Sequence, residues 1–167
     1  MINDFDKAFT IVIGVEGGYE SPAQAVANND PGGETKFGIC KLDHPDLDIA
    51  NLTIDQAKAI YKPQYWDAVK GDQLPCPLSI FMFDCAVNQG AGTACILLQK
   101  TIGVAQDGIL GVNTMATLAK ATSPEWLAAR FMAMRAQRYI GTRNFDVNGD
   151  GWFTRLFSVT IQGVGNE

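Results

Sequence analysis

The 167-residue chain has a single histidine, His44, and that scarcity excludes more chemistry than any other feature of the composition. Zinc amidases and zinc peptidases draw ligands from several histidines or from an H-E-x-x-H pair, and neither is present. A Ser-His-Asp triad would have only this histidine to use, and no G-x-S-x-G elbow accompanies it. His44 itself, in Asp43-His44-Pro45-Asp46, reads as a surface turn residue. The four cysteines, Cys40, Cys76, Cys85 and Cys95, form no C-x-x-C pair, so neither a redox motif nor a zinc knuckle is written here. Cys40 and His44 lie four apart on one loop, an unusual placement for a nucleophile and its base. Cys85 and Cys95 sit in apolar helical surroundings and read as buried thiols.

Positive charge is also scarce. Thirteen Lys and Arg face eighteen Asp and Glu, a formal net charge of −5, which argues against nucleic acid as the main partner. No apolar run approaches the length of a membrane span, so no membrane insertion is expected. The first residues, Met1-Ile2-Asn3-Asp4-Phe5-Asp6-Lys7, lack the basic region and small-residue cleavage site of a secretory signal. There is no internal repeat, low-complexity tract or linker. What remains is an ordinary globular composition, 47% hydrophobic and 19% charged, in a chain long enough to bury one sizeable core.

Within that chain Glu16 stands out. Phe5, Phe9, Val12 and Ile13 recur at helical spacing, which predicts an amphipathic helix ended by Gly17-Gly18. Glu16 would then lie on the last turn, where unpaired carbonyls disfavour a carboxylate and apolar neighbours disfavour it further. A carboxyl group held protonated near neutral pH is what general-acid catalysis needs. The competing reading is a solvated glutamate at a helix end.

The rest of the chain reads as mainly helical. Residues 17–36 form a long Gly-, Asn- and Asp-rich connection, and 35–40 a short strand or hairpin. Thr53-Ile54-Asp55-Gln56 is a capping box that opens a helix to about Tyr65. Leu78 to Val87 is apolar nearly all round and reads as a buried central helix. Helices follow over about 93–102, 113–121 and 124–139, the last opened by Ser123 as N-cap with Pro124 at the first position. A polar loop should precede Trp152, with a final helix to about Gln162. Asp146-x-Asn148-x-Asp150-Gly151 looks like half a calcium loop, but position twelve is Phe157 where a bidentate Glu is required.

Glu16-Gly17-Gly18-Tyr19, followed by Asp30-Pro31-Gly32-Gly33-Glu34-Thr35-Lys36-Phe37-Gly38-Ile39, resembles glycoside hydrolase family 108. Its members are lysozyme-like N-acetylmuramidases often found as phage and prophage endolysins. Further matches in the same order are Asn88-Gln89-Gly90, the Gln99…Asp107-Gly108…Gly111…Thr114 pattern of peptidoglycan-binding modules, and Gly151-Trp152 with Arg155. The resemblance implies a mainly α, lysozyme-like helical domain with a small β-hairpin beside the active-site cleft. Residues 1–92 would be the catalytic region and 93–167 a helical, peptidoglycan-binding-like part packed on it as one unit. It also implies a monomer acting on peptidoglycan glycan strands without metal or organic cofactor. Such an enzyme would be made in the bacterial cytoplasm and reach the periplasm or cell wall by a separate route. An acidic protein is awkward for an anionic polymer, and a locally basic or neutral cleft would resolve that.

The resemblance gives Glu16 the role of catalytic acid. Asp30 and Thr35 lie where lysozyme-like enzymes present a second polar group, a carboxylate to activate water and a hydroxyl to orient it. Asp30 is equally a good turn former in Asp-Pro-Gly-Gly, and Thr hydroxyls often cap local backbone. Tyr19, Tyr65 and Trp66 offer flat faces for sugar rings, with hydrophobic core as the alternative for the last two. Asn88 and Gln89 would hold N-acetyl or hydroxyl groups at the cleft floor. The glycines and Asp107-Gly108 read as turn shapers, and Trp152 and Arg155 as docking the last helix. A non-catalytic wall-binding or secretion-related protein is the rival, since some members carry secretion-activator names.

Overall fold

The computed structural model describes residues 4–13, 18–28 and 30–165. Among these, eight α-helices and three two-residue strands make a mainly helical, lysozyme-like domain with a small antiparallel sheet. Helix α1 (Asp4–Val12) buries Phe5, Ala8, Phe9, Ile11 and Val12, the inward stripe that its periodicity predicts. Residues 14–17, Glu16 among them, lie outside the described residues, so the expected placement of Glu16 on a helix end lies outside them too.

The segment read as an irregular connection holds more order than expected. Strand β1 (Tyr19–Glu20) leads into α2 (Pro22–Ala27), whose Ser21 and Gln24 form a complete capping box. Strands β2 (Thr35–Lys36) and β3 (Ile39–Cys40) form the predicted hairpin, and β1 adds to its free edge with Glu20 opposite Thr35. The hairpin turn is Phe37-Gly38 with φ of 51° and 73°. Two positive φ values give the mirror-image turn whose twist matches the strands. Glycine adopts that conformation freely, whereas phenylalanine is strained in it.

Helix α3 (Ile54–Tyr61) starts at the Thr53–Gln56 capping box and widens into one π-helical turn, Lys62–Trp66. Helix α4 (Leu78–Gln89) is buried along all of residues 78–86 and forms the central rod. Helices α1, α5 (Ala91–Ile102), α7 (Pro124–Ile140) and α8 (Phe145–Val164) pack around it, with α6 (Val112–Leu118) against α5. Each fully buried Phe, Ile or Leu of this core, such as Phe81, Phe83, Ile80 and Leu98, contributes about 1.5–3 kcal/mol.

Residues 145–151 are the first two turns of α8 and not the expected loop. Glycine in a helix costs about 1 kcal/mol relative to alanine. Packing overrides it here: a Cβ on Gly149 would stand 2.9 Å from the Phe145 ring, and one on Gly163 would stand 2.7 Å from Phe81. Helical geometry also places Asp146, Asn148 and Asp150 at successive turns of about 200°, which disperses the oxygens a calcium loop converges.

Candidate active site

Five elements meet at a cleft of about 210 Å³. Its walls are Ile13 after α1, the turn Phe37-Gly38, Tyr61 at the end of α3, Val87 and Asn88 at the end of α4, and Arg155 of α8. On the other side of the same turn a smaller recess of about 50 Å³ shares Gly38 and Tyr61 and adds Tyr65, Cys40 and His44. The turn is held down by the Tyr61 hydroxyl, which donates to the Phe37 carbonyl at 3.0 Å. Gly38 permits this: a Cβ there would stand 2.7 Å from the Tyr61 oxygen.

Of the residues expected at the site, Asn88 lines the cleft. Its Oδ1 accepts from the Tyr139 hydroxyl at 2.8 Å, which fixes the amide and leaves its NH2 for an acceptor such as an acetamido carbonyl. Tyr65 is half-buried in the smaller recess with its ring 5.3 Å from that of Tyr61. Gln89 is half-buried and accepts from the Cys85 thiol at 3.2 Å, away from the described lining of the cleft. Tyr19 is 43% exposed on β1, and its hydroxyl donates to Glu34 Oε1 at 2.6 Å. That bond, followed by some desolvation, raises the Tyr19 pKa.

Asp30 is exposed, and its Oδ1 accepts from the Gly32 N–H at 2.8 Å, the turn-forming bond of an Asp-Pro-Gly-Gly segment. The Thr35 hydroxyl donates to the Gly33 carbonyl at 3.0 Å. Both are thus engaged locally, each with lone pairs to spare. Trp66 is corrected by its burial. It is 0% exposed, packs against Phe5 and Phe83, and donates its indole N–H to Asp72 at 2.8 Å. Gly71 lies so close to the ring that a Cβ would stand 2.3 Å from it. No face of Trp66 is open to a sugar.

Beneath the cleft lies a network whose members the sequence reading left apart. Asp84, fully buried on α4, meets Arg135 NH2 of α7 at 2.7 Å and Arg155 of α8 through Nε at 2.9 Å and NH2 at 2.8 Å. Burial is the largest single influence on Arg135 and opposes its charge, but the Asp84 carboxylate, Cys85 and Tyr139 together outweigh it and the Arg135 pKa is raised. Arg135 also donates to Tyr139, which passes the chain of bonds to Asn88. Tyr139 stacks on Trp152 at 5.2 Å, and its pKa is raised chiefly by burial. The signal was available: a lone aspartate inside an otherwise apolar helix needs a cationic partner.

The sequence profile of the Glycosyl hydrolase 108 family matches residues 9–90, which run from the second half of α1 through the sheet and α3 to the end of α4. The solved structure of SagA from Brucella abortus superimposes with a TM-score of 0.80 at 30% identity, covering 96% of this chain and 94% of that one. The chain belongs to the Glycosyl hydrolase 108 family. No curated protein matches it. Membership in glycosyl hydrolase 108 assigns glycoside-hydrolase chemistry on a glycan substrate. Among the described residues, no helix is long and apolar enough to cross a membrane, and no group of three or more His, Cys, Asp or Glu is placed to hold a metal.

Proposed function

We propose that the chain is an N-acetylmuramidase that hydrolyses the β-1,4 bond between N-acetylmuramic acid and N-acetylglucosamine in peptidoglycan, with Glu16 as general acid. One observation carries the reading. Ile13, three positions before Glu16, lines the cleft, and Tyr19, three positions after it, joins the sheet whose hairpin turn forms the opposite wall. The glycan would lie between that turn and Asn88, with the acetamido group on the Asn88 amide.

In the proposed reaction Glu16 gives its proton to the glycosidic oxygen as that bond breaks. Asp30 takes a proton from water as the water oxygen bonds to the anomeric carbon, and Thr35 orients that water. Tyr19 and Tyr65 flank the glycan from the sheet and from the smaller recess. Residues 93–167 serve as the wall-binding part, and the protein acts as a monomer of endolysin type, in the periplasm or cell wall.

Turbidity loss and release of reducing ends from purified peptidoglycan test this reading. Glu16→Gln keeps the side-chain shape without a transferable proton, so activity should fall about a hundredfold or more with the fold intact. Activity should survive EDTA. Peptidoglycan binding without any release of reducing ends by the unaltered protein would favour the wall-binding alternative.

A further inference from the structure

We propose that the groove beside Trp126 is a second glycan-binding site, which holds a strand of peptidoglycan apart from the candidate cleft. The inference rests on the muramidase reading for the identity of its ligand, and it assigns the wall contact to named residues. The ends of α5 and α6 and the start of α7 enclose a space of about 480 Å³, whose walls include Thr101, Ile102, Thr117, Lys120, Trp126 and Leu127. It is larger than the 210 Å³ cleft and shares no described lining residue with it. Its size falls within the about 300–1,000 Å³ typical of ligand sites.

Trp126 is 60% exposed, although tryptophan is highly buried on average. Local structure holds it there. Its backbone N–H donates to Ser123, the N-cap of α7, at 3.2 Å, and the Arg130 guanidinium one turn on lies 5.2 Å from the ring centre. The indole lines the groove, whereas Arg130 does not. A braced, exposed indole is a platform for the apolar face of a pyranose, with little order left to impose on binding. Hydroxyls stand around it. Those of Thr101 and Thr117 donate within their own helices, to Leu97 at 2.7 Å and Asn113 at 3.0 Å, so each oxygen keeps a lone pair for a sugar hydroxyl.

Charge points the same way. From 93 to 143 six Lys and Arg face two acids, Asp107 and Glu125, in a chain whose net charge is −5. Arg135 is spent on the buried Asp84, and the remaining cations still outnumber the acids. Lys120, on the groove wall, forms no ion pair among the described residues. Its ammonium suits a muramic acid carboxylate on a strand whose neighbouring ring stacks on Trp126. An acidic protein thereby meets an anionic polymer through a stretch of the opposite sign.

Two measurements on the Glu16→Gln protein, which should bind without turnover, test this. The chain has three tryptophans, so nitrogen-edited NMR should show three indole N–H signals, and Trp126→Phe identifies the one that belongs to Trp126. Peptide-free glycan fragments should shift that signal together with backbone amides of residues 117–127. The second measurement is sedimentation with purified sacculi stripped of phosphate-bearing wall polymers. Binding should weaken about tenfold in Trp126→Ala and only about threefold in Trp126→Phe. Lys120→Gln should also weaken it and reduce its sensitivity to salt. The exposure of Trp126 means that its variants should keep Tm within about 2 °C.

An unmoved Trp126 signal, at fragment concentrations that shift residues of the candidate cleft, overturns the proposal whether or not the variants fold. So does unchanged sacculus binding in Trp126→Ala, and so does binding that disappears once the phosphate-bearing polymers are stripped. Neither measurement uses turnover. Trp126-dependent binding by a protein whose unaltered form releases no reducing ends would therefore sustain this inference while sinking the hydrolytic one.

Discussion

The Tyr61 hydroxyl and the Phe37 carbonyl are 3.0 Å apart, and this one bond ties the end of α3 to the hairpin turn that walls the candidate cleft. Phe37 holds φ at 51°, a conformation that persists only where its surroundings enforce it. Gly38→Ala should break the arrangement twice over, by placing a side chain at φ 73° and by setting its Cβ 2.7 Å from the Tyr61 oxygen. The expected loss is about 2 kcal/mol or more, with a fall of roughly 4–8 °C in Tm for a chain of this size. Tyr61→Phe removes only the bond and should cost about 1 kcal/mol. Lytic activity should fall more than tenfold in Gly38→Ala and only a few-fold in Tyr61→Phe; unchanged activity in the first would detach this turn from the site.

Asp30 carries a turn bond to the Gly32 N–H through one carboxylate oxygen. Asparagine can keep that bond through its carbonyl but cannot take a proton from water. Asp30→Asn should therefore leave Tm within about 2 °C while lowering the hydrolysis rate at least tenfold. Proton NMR of the first product should show an inverted anomer, the outcome expected of a base that acts through water. Full activity in Asp30→Asn would return Asp30 to a turn residue alone.

Gln99 is fully buried on α5 and supplies both ends of its amide to the loop before α6. Its NH2 donates to Asp107 Oδ1 at 2.6 Å and to the Ile109 carbonyl at 2.9 Å, while its oxygen accepts from the Gly108 N–H at 2.9 Å. The Gln99 and Ile109 bonds hold the Asp107 pKa below the usual carboxylate range. Gln99→Leu fills the space but strands these groups, and should cost about 2–4 kcal/mol in denaturant unfolding. A loss below about 0.5 kcal/mol would show that the loop reforms without the amide.

Where a local rule decided the structure, the residues were readable. The capping box at Thr53, Ser123 with Pro124, and the all-round apolar run of α4 each state their structure within a few neighbouring positions. The same rule was present and passed over at Ser21–Gln24, where a second capping box opens α2 inside a segment dominated by glycine and asparagine. The start of α8 was hidden for the opposite reason, since its glycines signal a loop until the rings of Phe145 and Phe81 are placed against them. Trp66 looked like a sugar platform because burial is a tertiary fact, set by Phe5 and Phe83 from distant parts of the chain with Gly71 closing in from the next turn. Asp84, Arg135 and Arg155 lie on three helices, and nothing in their spacing announces that they share a charge.

Cys85 gives a prediction in pH. Burial, chiefly, raises its pKa from an ordinary 9.0 to about 12, because a thiolate in the core of α4 would lose its hydration. The folded state thus holds the proton more tightly than the unfolded chain. Stability from this group is fully present below about pH 9 and is lost as pH rises towards 12, by up to about 1.4 kcal/mol per unit. Tyr139, whose pKa burial also raises, adds to the alkaline loss. Cys85→Ala should flatten the decline in denaturant midpoint between pH 9 and 11 without removing it. At pH 8 a thiol reagent should modify the half-buried Cys40 and Cys76 long before Cys85, which should react only on unfolding. Rapid modification of Cys85 in the native protein, with an unchanged alkaline decline in Cys85→Ala, would mean that the core around α4 admits solvent at that position.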